Sequence, residues 1–185
     1  VREEDPARRL ASFSKVGVLC AHRNGPLGAL HINSEIERRL LARGARRAGE
    51  AWYDGRPVMA LWNAPQLGVY NGDIGVACRD PSSGKLEACF AGEDGGIKRI
   101  EPGRLGEHET AFAITVHKAQ GSEFDEVLVV LPHAPSKVTT RELLYTAVTR
   151  ARSRVEILGR KEVVAAAIET PTVRFSGLAD RLTES

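Results

Sequence analysis

Five consecutive apolar residues, Val127–Leu131 (VLVVL), constrain this chain more than any other stretch. A strand with one wet face alternates apolar and polar residues. A continuous run belongs instead to a strand covered on both faces, as in a parallel sheet. Its surroundings agree. Ala111–Ile114 is a second apolar run, separated from the first by the polar turn HKAQGSEFD, so the pair reads as strand, turn, strand. Further on, Thr139 and Glu142 have capping-box spacing for the start of a helix. Leu143, Leu144, Ala147, Val148 and Ala151 then form one apolar stripe, and a strand, Val155–Leu158, follows. At about 100° per residue, Arg150 falls on the flank of that stripe, close in angle to Leu143 and Thr146. Such an arginine can be held firmly while its planar, always-charged fork reaches a phosphate on a neighbouring domain.

The same α/β texture opens the chain. Residues 1–14 carry a weak helical pattern with Asp5 and Pro6 placed as its start. Lys15–Cys20 reads as a short buried strand, ending in the polar turn Ala21–Pro26 with Arg23 within it. That position, past a strand's carboxyl end, is where open α/β sheets bind ligands. On composition alone Arg23 is a solvated turn residue. Gly28–Arg43 reads as an amphipathic helix with Leu30, Ile36, Leu40 and Leu41 on or near one side, stopped by Gly44. Asn33 on this helix reads equally as a local backbone cap and as a ligand contact. Arg38, Arg39, Arg43, Arg46 and Arg47 read first as a solvated basic face. Near the other end, Lys161–Ile168 is a further helix candidate.

Between these parts the pattern breaks. From about Ala48 the segments are short and β-rich, punctuated by Asp54-Gly55, Asn71-Gly72, Ser83-Gly84 and Gly92–Gly96. VYNGDIGVACR and LEACFAGEDGGIKRIEP both read as hairpins. Short strands with tight turns predict a small antiparallel barrel. The α/β texture resumes at Glu109, as it would after an insertion.

Composition mostly excludes. A chain of 185 residues with 42% hydrophobic and 27% charged residues is ordinary for a soluble globular protein. No apolar run approaches the ~20 residues of a membrane span, and no signal-peptide pattern is present. A net charge of +2 does not by itself point to nucleic acid. Cys20, Cys78 and Cys89 are scattered without metal spacing, which fits a reducing, cytoplasmic setting; no metal site is expected. Met59 is the sole methionine, and no GxxxxGK[ST] phosphate loop occurs, since Ser83-Gly84-Lys85-Leu86 lacks the rest of the motif. The expectation is part of a longer protein.

AFAITVHKAQGSEF and ELLYTAVTRAR resemble the fifth and sixth motifs of superfamily 1 helicases. The flanking text, from GRPVMALWNAPQLGVYNGDIGVA to TPTVRFSGLADRL, resembles the RecD family, the alpha subunits of exodeoxyribonuclease V, in their C-terminal portion. This resemblance implies a second RecA-like motor domain, α/β in class, made of residues 1–47 and 108–185. An SH3-like β-barrel, residues 48–107, is inserted in it. It implies an ATP-dependent helicase moving 5′ to 3′ on single-stranded DNA beside RecB-like and RecC-like subunits. ATP with Mg2+ would sit against an N-terminal RecA-like domain carrying the phosphate loop. Arg23, at the fourth motif's arginine, and Arg150, at the sixth motif's, would contact the terminal phosphate. Gly121 and Glu123 would face the nucleotide, while Thr115 and His117 would meet the DNA backbone, with Lys118 a further contact. In the barrel, Trp52, Tyr53, Trp62, Tyr70, Lys98 and Arg99 are candidates for stacking bases or pairing phosphates, although small barrels also need aromatics in their cores. A DNA-binding or assembly module without ATPase activity, and a free-standing or relaxase-associated helicase, are the alternatives.

Overall fold

Two sheets divide residues 5–172, the part of the chain described by a computed structural model. In chain order the elements are α1 (Pro6–Phe13), β1 (Val16–Cys20), α2 (Ala29–Ala42), β2 (Pro57–Ala60), β3 (Ile74–Arg79), β4 (Leu86–Ala91) and β5 (Ile97–Ile100). They continue with β6 (His108–Thr110), β7 (Ala113–Thr115), β8 (Phe124–Val130), α3 (Arg141–Val148), β9 (Ala151–Leu158) and α4 (Lys161–Glu169). One sheet is parallel, in the order β7-β1-β8-β9. The other is antiparallel, in the order β5-β4-β3-β2-β6.

The continuous apolar run works as its pattern predicts. Val127 and Val129 join Leu19, Ile114, Leu143, Leu144, Ala147, Val163 and Ala167 in the main core, on the face covered by α3 and α4. Leu128 and Val130 turn the other way, toward Cys20, Ala29, Ala113 and Ile32 under α2. Helices on both faces thus account for the lack of alternation. The outer strand β9 is different, with Val155, Ile157 and Leu158 all exposed.

Local chemistry sets the helix boundaries. Asp5 accepts from the Ala7 N–H and Pro6 opens α1, as their spacing predicts. At α3 the cap is displaced by one residue. Thr140, not Thr139, accepts from the Leu143 N–H. Glu142 accepts instead from the N–H and hydroxyl of Thr172, which hold its carboxyl down at about 2. On α2 the buried positions are Ala29 and Asn33, whereas Leu30 and Leu41 are exposed. The leucines expected to face inward are therefore split between two sides.

The antiparallel sheet has its own core of Val58, Ala60, Val69, Ala88, Phe90, Ile100 and Leu105. The β4–β5 hairpin closes through Gly92–Gly96, and the β3–β4 turn through Asp80 and Gly84. The hairpin expected at Asn71-Gly72 does not form. Residues 61–73 make a wide loop with a 3-10 turn at Pro65–Leu67 and one isolated bridge, Ala64 to Val69, and β3 pairs back to β2. Proline at the start of that turn removes the donor a preceding strand would need. β6 belongs to this sheet, so the antiparallel part runs on to Thr110, past the expected boundary at residue 107.

A buried amide fastens the two sheets. Asn33, 6% exposed, donates to the carbonyls of Thr110 and Ala113 and accepts from the Ala113 N–H, each at 2.8 Å. Nearby, Glu37 accepts from Tyr53 Oη (3.0 Å) and Thr110 Oγ1 (2.9 Å) and pairs with Arg46. Sequence left Asn33 open between cap and contact. It is a long-range clasp on backbone.

Candidate nucleotide and nucleic-acid site

All four strands of the parallel sheet point one way, so residues that follow a strand and residues that precede one lie at opposite edges. Cys20, Thr115 and Val130 are in register at the carboxyl edge, and Phe124 with Ala151 at the amino edge. At about 3.3 Å per residue, β8 separates the two edges by roughly 20 Å.

At the carboxyl edge stand Arg23, Thr115 and Lys118. The Val116 N–H donates to the Cys20 carbonyl, tying the β7 turn to β1. Thr115 Oγ1 lies 3.4 Å from the Lys118 N–H, and the His117 side chain is exposed beyond it. Glu109, on β6, joins the group. Its Oε1 accepts from Lys118 Nζ at 2.6 Å and its Oε2 from Arg23 Nη2 at 2.9 Å. Burial alone would raise the Glu109 carboxyl, but the bonds from Lys118 and Arg23 outweigh it and hold the group below its ordinary range. Nothing in the sequence marks Glu109 as part of a site. It opens the motif-like stretch, but an acid there does not announce which cations it meets.

At the amino edge the turn returns through Gly121, Ser122 and Glu123. Gly121 takes φ +89°, a conformation that suits glycine alone. The Phe124 N–H donates to the Arg150 carbonyl at 2.8 Å, joining this turn to the end of α3. The Arg150 guanidinium reaches the carbonyls of Thr146 (3.2 Å) and Ser122 (3.3 Å) and the Thr149 hydroxyl (3.4 Å). Among the described residues no carboxylate pairs with it. Glu123, expected to face nucleotide, is exposed and pairs with Arg152 at 3.0 Å.

The structure therefore brings Gly121, Glu123 and Arg150 together at one edge, and Arg23, Thr115 and Lys118 at the other. It does not bring Arg23 to Arg150, because one follows the first strand and the other precedes the last. In the antiparallel part most candidates are engaged within the fold. Tyr53 is buried with its hydroxyl on Glu37, Arg56 lies over the ring of Trp52, and Trp62 donates to the Leu105 carbonyl. Lys98 bonds the Gly68 carbonyl and Arg99 pairs with Glu87. Tyr70 stays 45% exposed. Among the described residues no three His, Cys, Asp or Glu side chains gather as a metal site. The three cysteines are free and buried, and among the described residues no helix is long and apolar enough to cross a membrane.

A family model described as the UvrD-like helicase C-terminal domain matches residues 110–158. The chain is 44% identical over 173 residues to the RecBCD enzyme subunit RecD of Mycobacterium tuberculosis, covering 94% of this chain and 30% of that protein. It is 42% identical over 178 residues to the same subunit of Mycolicibacterium smegmatis, covering 96% and 31%. The chain thus spans about 30% of the length of these curated relatives. Among solved structures, a Pif1 helicase from Bacteroides, in complex with ADP-AlF3 and ssDNA, shares the fold with a TM-score of 0.51. That match has 16% identity and covers 96% of this chain and 49% of that one.

Proposed function

The chain belongs to the RecD family of helicases, and from that premise we propose that it forms one wall of an ATP-driven motor on single-stranded DNA. The fold it shares is a parallel-sheet helicase domain of RecA-like type. In this reading residues 1–47 and 108–185 form the second motor domain. The segment from 48 to about 107 is the inserted SH3-like module. Two observations support an SH3-like reading: the sequential strand order, and the 3-10 turn Pro102–Arg104 just before β6.

Arg150 is the residue that acts on the nucleotide. The single observation that carries this is its setting: three neutral acceptors hold the guanidinium, and among the described residues no carboxylate neutralises it. A cation so placed is oriented yet keeps its charge for an outside anion. Poised beside Gly121 and Ser122, it would stabilise charge developing on the transferred phosphoryl group. The phosphate loop and Mg2+ ligands would come from an N-terminal RecA-like domain facing this edge. Arg23, at the far edge, groups instead with Thr115, His117 and Lys118, toward the DNA backbone. Opening and closing of the cleft would shift that edge along the strand, 5′ to 3′, in an assembly with RecB-like and RecC-like subunits.

The test is DNA-stimulated ATP hydrolysis by the full-length parent protein. Arg150→Ala should lower turnover by ~10³–10⁵-fold, about 4–7 kcal/mol of barrier, with binding of single-stranded DNA retained. Arg150→Lys should not restore it, because a point charge does not reproduce the fork. Unchanged turnover in Arg150→Ala would overturn this assignment. Absence of turnover in the wild type would favour a DNA-binding module without ATPase activity.

A further inference from the structure

Two cations of the carboxyl edge share one anion. Arg23 comes from the turn after β1 and Lys118 from the turn after β7, both on the parallel sheet, whereas Glu109 comes from β6 of the antiparallel sheet. Each Glu109 oxygen accepts from one cation. The side chains are layered by exposure: Glu109 16%, Lys118 29% and Arg23 53%. The carboxylate is the floor and the cation heads face outward. Among the described residues neither head makes another side-chain hydrogen bond, so Lys118 keeps two N–H donors and Arg23 most of its five. Two positive charges on one negative charge leave the cluster cationic.

We propose that Glu109 is a positioning residue that sets the spacing of Arg23 and Lys118 so that together they grip one backbone phosphate of single-stranded DNA. The proposal rests on the functional reading above and adds a residue, a pairing and a ligand group to it. Long Arg and Lys side chains lose much rotamer freedom when they bind, and a half-buried shared anion removes part of that freedom beforehand. Because Glu109 lies on the antiparallel sheet, the seating of that sheet against the parallel one governs the grip. A second view of the same geometry makes the opposite prediction. If Glu109 merely occupied the phosphate position, neutralising it would tighten binding.

The experiment is fluorescence anisotropy of a labelled oligo-dT with the full-length parent across a salt series. Glu109→Ala should weaken binding roughly tenfold at low salt. The slope of log K against log salt should become shallower by about 0.7, one phosphate contact on a single strand. A defect that only loosened the fold would not move that slope. Glu109→Gln keeps one acceptor oxygen and should fall between wild type and Glu109→Ala. It also serves as the second variant should alanine impair folding. Glu109→Ala added to Arg23→Ala and Lys118→Ala together should bind little differently from those two cation variants without it, since the side chains it positions are gone. Unchanged or tighter binding by the Glu109 single variants, or a further loss when Glu109→Ala is added to the two cation variants, overturns the proposal and leaves the Arg150 assignment standing. A wild-type parent that does not bind the oligonucleotide overturns both.

Discussion

Asn33 directs both ends of its amide at backbone about eighty residues away. Substituting alanine would leave the Thr110 and Ala113 carbonyls and the Ala113 N–H buried without that partner. Unsatisfied buried polar groups cost about 1–3 kcal/mol each, so Asn33→Ala should destabilise by roughly 3 kcal/mol, read as a lower urea midpoint. Asn33→Asp should do no better, because a carboxylate cannot donate to two carbonyls. Nothing in the sequence around Asn33 separates this role from a cap, since both need a small amide on a helix. Cys20 was easier to read. Its place in an apolar strand implied burial, and burial pushes its thiol up to about 12. Arg150 was legible as a held arginine from its angle beside Leu143. That no carboxylate among the described residues pairs with it was not legible, because that depends on what the Gly121–Glu123 turn brings near.

Among elements, those with strong internal pattern were readable and those decided by pairing were not. β8 and α4 follow from runs and periodicity. The wide loop before β3 does not, because Asn71-Gly72 signals a turn whatever precedes it, and Pro65 and Gly68 spoil the strand that a hairpin requires. α2 looked like a helix with one leucine-rich side, yet small Ala29 and polar Asn33 approach the sheet. Close packing also explains why β1 contains a glycine. A Cβ at Gly17 would sit 2.7 Å from the Phe124 ring, with no positive φ involved. Gly17→Ala should therefore push β1 off β8 and lower stability by about 1–3 kcal/mol, the usual cost of overpacking. Phe124→Leu in the same chain should recover part of the loss in thermal melts by making room.

For the whole molecule the seam between the sheets matters most, and sequence located it only as a change of texture near Glu109. The structure carries β6 across that line and seats Glu109 between two cations of the other sheet. The seam should also respond to acid. The Glu109 carboxyl is lowered in the folded state from an ordinary value of 4.5, so the unfolded chain takes up its proton first as pH falls. Its contribution to stability is therefore present in full above about pH 4.5 and is lost as pH falls through the lowered folded value. The stability difference between wild type and Glu109→Gln, measured by urea unfolding, should be constant near neutrality and shrink below that pH. The sheet order has a further consequence, in time. β1 is flanked by β7 and β8, yet β7 begins about ninety residues after β1 ends. At 5–20 residues per second a ribosome needs roughly 5–20 s to supply those neighbours. During that interval the oily strand Val16–Cys20 is outside the exit tunnel without its permanent partners. The antiparallel sheet, made of strands that follow one another closely, can form while it waits. The nascent chain should thus acquire its antiparallel sheet before its parallel sheet, with β1 among the last strands to be enclosed.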